Sequence, residues 1–195
     1  MKTDLILAGV GGQGILTIAA TIGMAALKND FFLKQSEVHG MSQRGGEVQS
    51  HMRISDKAIS SDLIPERGAD LIISVEPMEG LRYLSHLSDN GWLITNSKPF
   101  VNIANYPDID KLMAEIKSVK NHIMLDADAM AKEIKSTRSS NIIMLGAASP
   151  FISMDYELLE EGLKAIFSKK GDDIVEKNIL ALKIGREFTE SVIKK

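Results

Sequence analysis

Near the start of the chain, Gly9-Val10-Gly11-Gly12-Gln13-Gly14-Ile15 carries the spacing G-x-G-x-x-G at Gly9, Gly11 and Gly14. Glycines so placed permit a tight turn and a bare backbone. A phosphate or another polar group can then reach the first N–H groups of a following helix, where the helix dipole favours negative charge. The same glycines would equally serve close strand–helix packing. A dinucleotide site asks for an acidic residue about 20 positions on, and Glu37 lies near that place. A second cluster comprises Ser36 and Gln43-Arg44-Gly45-Gly46. Its guanidinium stands on a loop beside two small residues, suited to bidentate pairing with carboxylate or phosphate, or to a structural ion pair. Ser36 and Gln43 add hydrogen-bonding groups. His39 and His51 lack a matching carboxylate spacing for a metal and read as loop or interface hydrogen-bonding groups. His39 is the one histidine to test as a proton carrier. Asn141 opens a helical segment and reads first as its cap.

The elements that must hold these groups alternate. The apolar run Leu5-Ile6-Leu7-Ala8 predicts a strand over 3–8. The next segment predicts a helix over 12–28, with Ile15, Leu16, Ile18, Ala19, Ile22, Ala25 and Ala26 inward. A strand over 31–37, a loop over 38–46 and a strand over 47–54 with one solvated or ligand-facing side come next. Residues 70–75 form a continuous apolar strand of the kind covered on both faces. A helix follows from Pro77 to about 87, then a turn at Asn90-Gly91 and a strand over 92–96. A helix over 108–119, a strand over 123–125 and a helix to about 136 capped by Asp126 or Asp128 complete the alternation. The remainder predicts helices over 140–148, over 154–168 capped by Ser153, and over 172–194, separated at Pro150 and Gly171. The expected architecture is α/β: a single Rossmann-like domain over 1–195, with a mostly parallel sheet, helices on both faces and a C-terminal helical tail.

Composition narrows the chemistry. The chain has 195 residues, 44% of them hydrophobic, enough for a substantial core. With 23 basic and 26 acidic residues and a net charge of −3, it has no electrostatic case for nucleic acid or an anionic membrane. No apolar run approaches a membrane span. No signal peptide is visible, so a cytoplasmic location is expected. There are no cysteines, which excludes disulfides, thiol nucleophiles and ordinary Fe–S ligation by this chain. Its ten methionines read as core and interface filler.

In order, the Gly9–Gly14 motif, Ser36-Glu37-Val38-His39-Gly40-Met41-Ser42-Gln43-Arg44-Gly45-Gly46 and Arg53-Ile54-Ser55 resemble the gamma module of the 2-oxoacid:ferredoxin oxidoreductases. Within that family the chain is most similar to the small subunits of the indolepyruvate branch. Glu76-Pro77, Glu79-Gly80-Leu81-Arg82-Tyr83-Leu84, Asn141 and Leu145-Gly146-Ala147 extend the likeness, which covers roughly 1–185 and is strong because the two glycine signatures occur together. The resemblance implies a division of labour. A large (alpha) subunit carries thiamine diphosphate, Mg2+ and the Fe–S clusters, decarboxylates an aryl-2-oxoacid and passes electrons to ferredoxin. The acyl group leaves as its coenzyme A thioester. The gamma module packs against the thiamine domains and helps form the coenzyme A cleft, with no catalytic residue or metal of its own. Its implied cofactor-binding residues are Gly9, Gly11, Gly12, Gln13, Gly14, Ser36, Gln43, Arg44, Gly45, Gly46 and Asn141. No thiamine magnesium motif is visible; Asp110 and Asp126 lie in no such context. Three alternatives stay open: a stand-alone NAD- or FAD-binding oxidoreductase, a non-catalytic nucleotide-binding scaffold, and a gamma subunit acting on pyruvate or another 2-oxoacid. The isolated chain is open to homodimer formation.

Overall fold

The computed structural model describes residues 1–40, 45–101 and 103–194. A six-stranded sheet runs in the order β2-β3-β1-β4-β5-β6. Strand β1 (Lys2–Val10) lies inside it, parallel to β4 (Ala69–Ser74), which continues in parallel to β5 (Leu87–Asn96) and β6 (His122–Leu125). On the other side β1 pairs antiparallel with β3 (Glu47–Ser55), which pairs antiparallel with the edge strand β2 (Phe32–His39). The sheet is thus mostly parallel with an antiparallel border.

Alternation along β1 divides the core. Leu5 and Leu7 point to one face, under α1 (Ile15–Lys28), α5 (Ser140–Ala148), α6 (Tyr156–Phe167) and α7 (Asp172–Ile193). Ile6 and Ala8 point to the other, with Tyr83 beside α2 (Pro77–Arg82) and Ile116 in α3 (Ile109–Ser118). Both faces are covered, as an apolar-throughout strand demands. The short helix α4 (Ala127–Glu133) is capped by Asp126, whose carboxylate accepts from the Ala129 N–H at 2.8 Å.

The C-terminal helix is structural rather than a tail. It packs on α5 through two glycines: a Cβ at Gly185 would meet the Ile143 carbonyl oxygen at 2.0 Å, and one at Gly146 the Leu182 carbonyl oxygen at 2.0 Å. Helix α5 is buried along nearly its whole length. A helix without a polar face needs cover on every side, and α7 supplies it.

Several boundaries differ from expectation. Asn90 and Gly91 lie inside β5, not in a turn; the β4–β5 register shifts between Ala69 and Leu71, and a Cβ at Gly91 would stand 2.8 Å from the Ala69 carbonyl oxygen. Glycine there serves close strand approach. Strand β2 runs on to His39, two residues into the expected loop. The polar side of β3 is solvated only in part: Glu47 is exposed and Gln49 and Arg53 are half-buried, but His51 is buried and its Nδ1 accepts from the Ile64 N–H. Leu16 faces outward, not into the core. Helix α2 ends at Arg82, with a 3-10 turn over Leu84–His86 before β5. Helix α4 stops at Glu133, and Lys135 adopts φ 54 just beyond it. Asp155, not Ser153, occupies the N-cap of α6; the Ser153 N–H is bound instead to Thr3 Oγ1.

Candidate functional site

The glycine loop closes the carboxyl end of β1 and starts α1, and each glycine has a separate reason. Gly9 is a packing position: a Cβ would lie 2.3 Å from Val75 Cγ2 and 2.8 Å from Ile15 Cδ1. Gly14 adopts φ 82, and a Cβ would lie 2.5 Å from Asn141 Nδ2. Gly12, at φ 99, has open space beside it. The side chain of Gln13 turns back on the loop, its Oε1 accepting from the Val10 N–H at 2.8 Å. Asn141 is no helix cap. It sits inside α5, with Ser139 at the N-cap, and its Nδ2 donates to the Gly14 carbonyl oxygen at 3.0 Å. The carboxamide therefore ties α5 to the loop across 127 residues of sequence.

The second glycine pair joins the first. The Gly11 N–H donates to the Gly46 carbonyl oxygen at 2.8 Å, and the Gly45 N–H to the Gly11 carbonyl oxygen at 3.4 Å. Gly45 has φ 81, a conformation glycine tolerates best. Gln43 and Arg44 lie outside the described residues. Ser36 stands elsewhere: it lies partway along the edge strand β2, opposite His51, on the face away from α1. His39 Nε2 contacts Glu37 Oε1 at 2.6 Å on the exposed edge. His51 accepts the Ile64 N–H on Nδ1 at 3.0 Å and meets His86 edge-on. Burial, together with His86, pushes the His51 imidazole below its ordinary value. Among the described residues no group of three metal-ligating side chains gathers.

Gly12, Gln13 and Gly14 border a cavity of about 850 Å3. Residues from the first turns of α1, α5 and α7 line it together. None of these three helices has a side-chain cap hydrogen bond at its N-terminus. The first-turn N–H groups of all three lack a side-chain cap; the positive ends of α1 and α5 carry no acidic residue in the first turn, whereas α7 carries Asp172 and Asp173 there. Lys135, Arg138, Lys170 and Lys177 line the same space, against the carboxylates of Asp128 and Asp173. Asp173 is already paired with Lys177 at 2.7 Å, and Asp128 accepts from Asn96 Nδ2 at 2.9 Å. The remaining charge in the cavity is positive. Sequence reading missed these cations because they come from the α4–α5 connection, the α6–α7 turn and the start of α7. Gly171 at the N-cap of α7, which has no side chain to cap the helix, was the available signal.

A buried carboxylate braces the cavity's far wall. Glu76 is fully buried. It accepts from the Glu79 N–H at 2.9 Å, the Phe100 N–H at 3.2 Å and the Tyr106 hydroxyl. It thereby holds both ends of the 100–106 segment, whose Phe100 lines the cavity. Burial and the hydrogen bond to Glu76 both push the Tyr106 phenol upward. Glu79 pairs with Arg82 at 3.1 Å, and Arg82 also lies 3.6 Å from Glu47, at the start of β3 beside Gly46. Burial raises the Glu79 carboxyl above its usual range, against the opposing pull of Arg82.

Fold and cavity together define an α/β module with a recess, lined by both cations and carboxylates, at the carboxyl ends of its parallel strands. A family model described as pyruvate ferredoxin/flavodoxin oxidoreductase matches residues 4–188, and the chain belongs to that family. It is 34% identical over 194 residues to an Archaeoglobus fulgidus protein named indolepyruvate oxidoreductase subunit IorB, covering 95% of this chain and 94% of that one. The Pyrococcus horikoshii protein of the same name is 33% identical, with 97% of each chain covered. Among solved structures, a Geobacter sulfurreducens keto/oxoacid ferredoxin oxidoreductase gamma subunit superposes with a TM-score of 0.73 at 21% identity, covering 97% of this chain and 99% of that one. The Magnetococcus marinus 2-oxoglutarate:ferredoxin oxidoreductase, solved with 2-oxoglutarate, coenzyme A and succinyl-CoA, superposes with a TM-score of 0.77 at 20% identity. That match covers 97% of this chain but only 31% of the other, so the chain spans about a third of that polypeptide. At these identities the two superpositions establish the shared fold. No helix among the described residues is long and apolar enough to cross a membrane.

Proposed function

We propose that this chain is the small subunit of a cytoplasmic 2-oxoacid:ferredoxin oxidoreductase of the indolepyruvate type. The whole chain serves as one gamma-type module, and its recess receives the nucleotide end of coenzyme A. The observation that carries the reading is the convergence of three side-chain-uncapped helix starts and four cations on one cavity of about 850 Å3. Coenzyme A carries a diphosphate and a separate phosphate. Backbone N–H groups and guanidinium or ammonium groups bind such a ligand through charge-assisted hydrogen bonds. The names of the relatives at 33–34% identity support the indolepyruvate assignment.

Thiamine diphosphate, Mg2+ and Fe–S clusters belong on a partner large subunit, which passes electrons to ferredoxin. This chain has no cysteine, and no metal-ligating triad gathers among its described residues. Its own contribution is positional. The recess fixes the coenzyme, the Gly11–Gly46 contact couples the cavity loop to the Gly45-Gly46 pair, and the docked pair of subunits excludes water from the thiol's approach to the acyl group. Gln43 and Arg44 remain assigned to the shared site through their sequence context. The isolated chain is expected to turn over nothing. Co-expression with a large subunit bearing thiamine and ferredoxin-type cysteine motifs tests this. A large subunit that reduces ferredoxin at full rate on its own, with indolepyruvate and coenzyme A, refutes it.

A further inference from the structure

Helix α1 contains no charged residue before Lys28. Its inner face packs Ile15, Ile18, Ile22 and Ala26 into the core. Its outer face is apolar too. Leu16 is 57% exposed, Met24 36% and Leu27 62%, with Ala20 exposed among them. These four recur at i, i+4, i+8 and i+11, one line along the helix about 16 Å long. Helices bordering water put polar residues outward. Here α3 exposes Asp110, Lys111, Glu115 and Lys117 beside Ile109, and α7 exposes Asp172, Asp173 and Lys183 beside Ile174, Leu180 and Ile193, so their exposed faces are mixed. Helix α1 departs from that rule along its whole length.

Resting on the small-subunit reading above, we propose that this stripe is the seat of the large catalytic subunit. The partner presents an uncharged apolar helix or groove along residues 16–27. A second copy of this chain fits less well. Four such side chains expose on the order of 300 Å2, so self-pairing would bury roughly half of the ~1,200 Å2 that stable interfaces start from. A larger body can extend the contact, and the structure offers the extension. Leu16 lies two residues beyond Gly14, at the loop bordering the cavity. A further flank of the cavity carries exposed Phe100, with exposed Val101 next to it in sequence. A partner seated on the stripe and reaching that flank spans the cavity mouth and brings its own reacting centre to the coenzyme.

The test uses the full chain carrying Met24→Glu and Leu27→Glu, co-expressed with the large subunit. Both positions are exposed and glutamate is a good helix former, so an unchanged melting temperature is expected. Ala20→Gln with Met24→Gln is the milder second variant, and Lys183→Glu on α7 is the control. The expected result is a complex with the wild-type and control chains, and a dissociation constant raised about 100-fold or more by the Glu pair. In hydrogen exchange of the wild-type complex, protection should extend to the exposed turns of α1. Binding within threefold of wild type for both stripe variants overturns the assignment. So does a wild-type dimer that the Glu pair dissolves while affinity for the large subunit stays unchanged; that result gives the stripe to a second copy. If the wild-type chain forms no complex at all, the small-subunit reading falls, and the seat falls with it.

Discussion

Replacing Gly14 by alanine tests whether the loop's shape depends on Asn141. The residue sits at φ 82 and ψ 24, a left-handed conformation that costs a residue with a Cβ about 1–2 kcal/mol. The new Cβ would also stand 2.5 Å from Asn141 Nδ2 and displace it. That breaks the 3.0 Å bond to the Gly14 carbonyl, worth about 1 kcal/mol. The carbonyl keeps the Thr17 and Ile18 N–H groups, so the loss stays at the low end. Gly14→Ala should therefore cost about 2–3 kcal/mol. Gly12→Ala pays only for its φ of 99, because nothing lies near its Cβ. Asn141→Ala alone should cost about 1 kcal/mol. In the double variant the clash has no target and the hydrogen bond is lost only once. The combined cost should therefore fall about 1 kcal/mol short of the sum. Urea unfolding with an unchanged slope measures each corner of this cycle. Additivity within about 0.3–0.5 kcal/mol would refute the coupling, and equal costs at Gly12 and Gly14 would remove Asn141 from the argument.

Other outcomes follow from the same contacts. Asp4 is nearly fully buried and is gripped by Arg53 Nε and Nη2 at 2.8 and 2.9 Å. Arg53→Met leaves that buried carboxylate with Lys2 Nζ, at 2.8 Å, as its remaining ion-pair partner and should cost about 2–3 kcal/mol in thermal or urea unfolding. Burial alone would raise the Asp4 carboxyl, but Arg53 and Lys2 outweigh it and hold it below 3.8. Its stabilisation is present above that value and lost as pH falls through the folded one, so Asp4→Asn should flatten the acid limb of the stability curve. His51 is depressed from 6.5, so folding is weakened as pH drops below about 6.5 and the buried ring must charge. His51→Gln should remove that slope between pH 7 and 5, and a parallel slope in both proteins would contradict the assignment. In the assembled enzyme, Lys135→Ala or Arg138→Ala should raise KM for coenzyme A about tenfold, with kcat within twofold. Unchanged KM for both would move the coenzyme elsewhere.

Much was legible in the chain because the signals were local. The run 5–8, the glycines at 9, 11 and 14, Asp126 before α4 and Gly171 before α7 each act on their own few residues, and the α/β alternation follows from them. Pairing of the two glycine signatures was legible only as a resemblance. That they touch, Gly11 to Gly46, depends on β3 running antiparallel beside β1, a choice made by the whole sheet. Local turn chemistry misled at Asn90-Gly91, where a neighbouring strand's carbonyl, not a turn, requires the glycine. Ser36 was grouped with the glycine-rich segment by closeness in sequence, yet strand pairing sets it beside His51, on the face of the sheet away from α1. Amino-acid order alone therefore determined the elements, the family likeness and the absence of thiolate chemistry. Tertiary structure decided that Asn141 holds Gly14, that Glu76 braces the 100–106 segment, and that three helix starts share one recess. Those contacts join residues far apart in the chain, and only packing brings their hydrogen-bonding groups within 3 Å or so of one another.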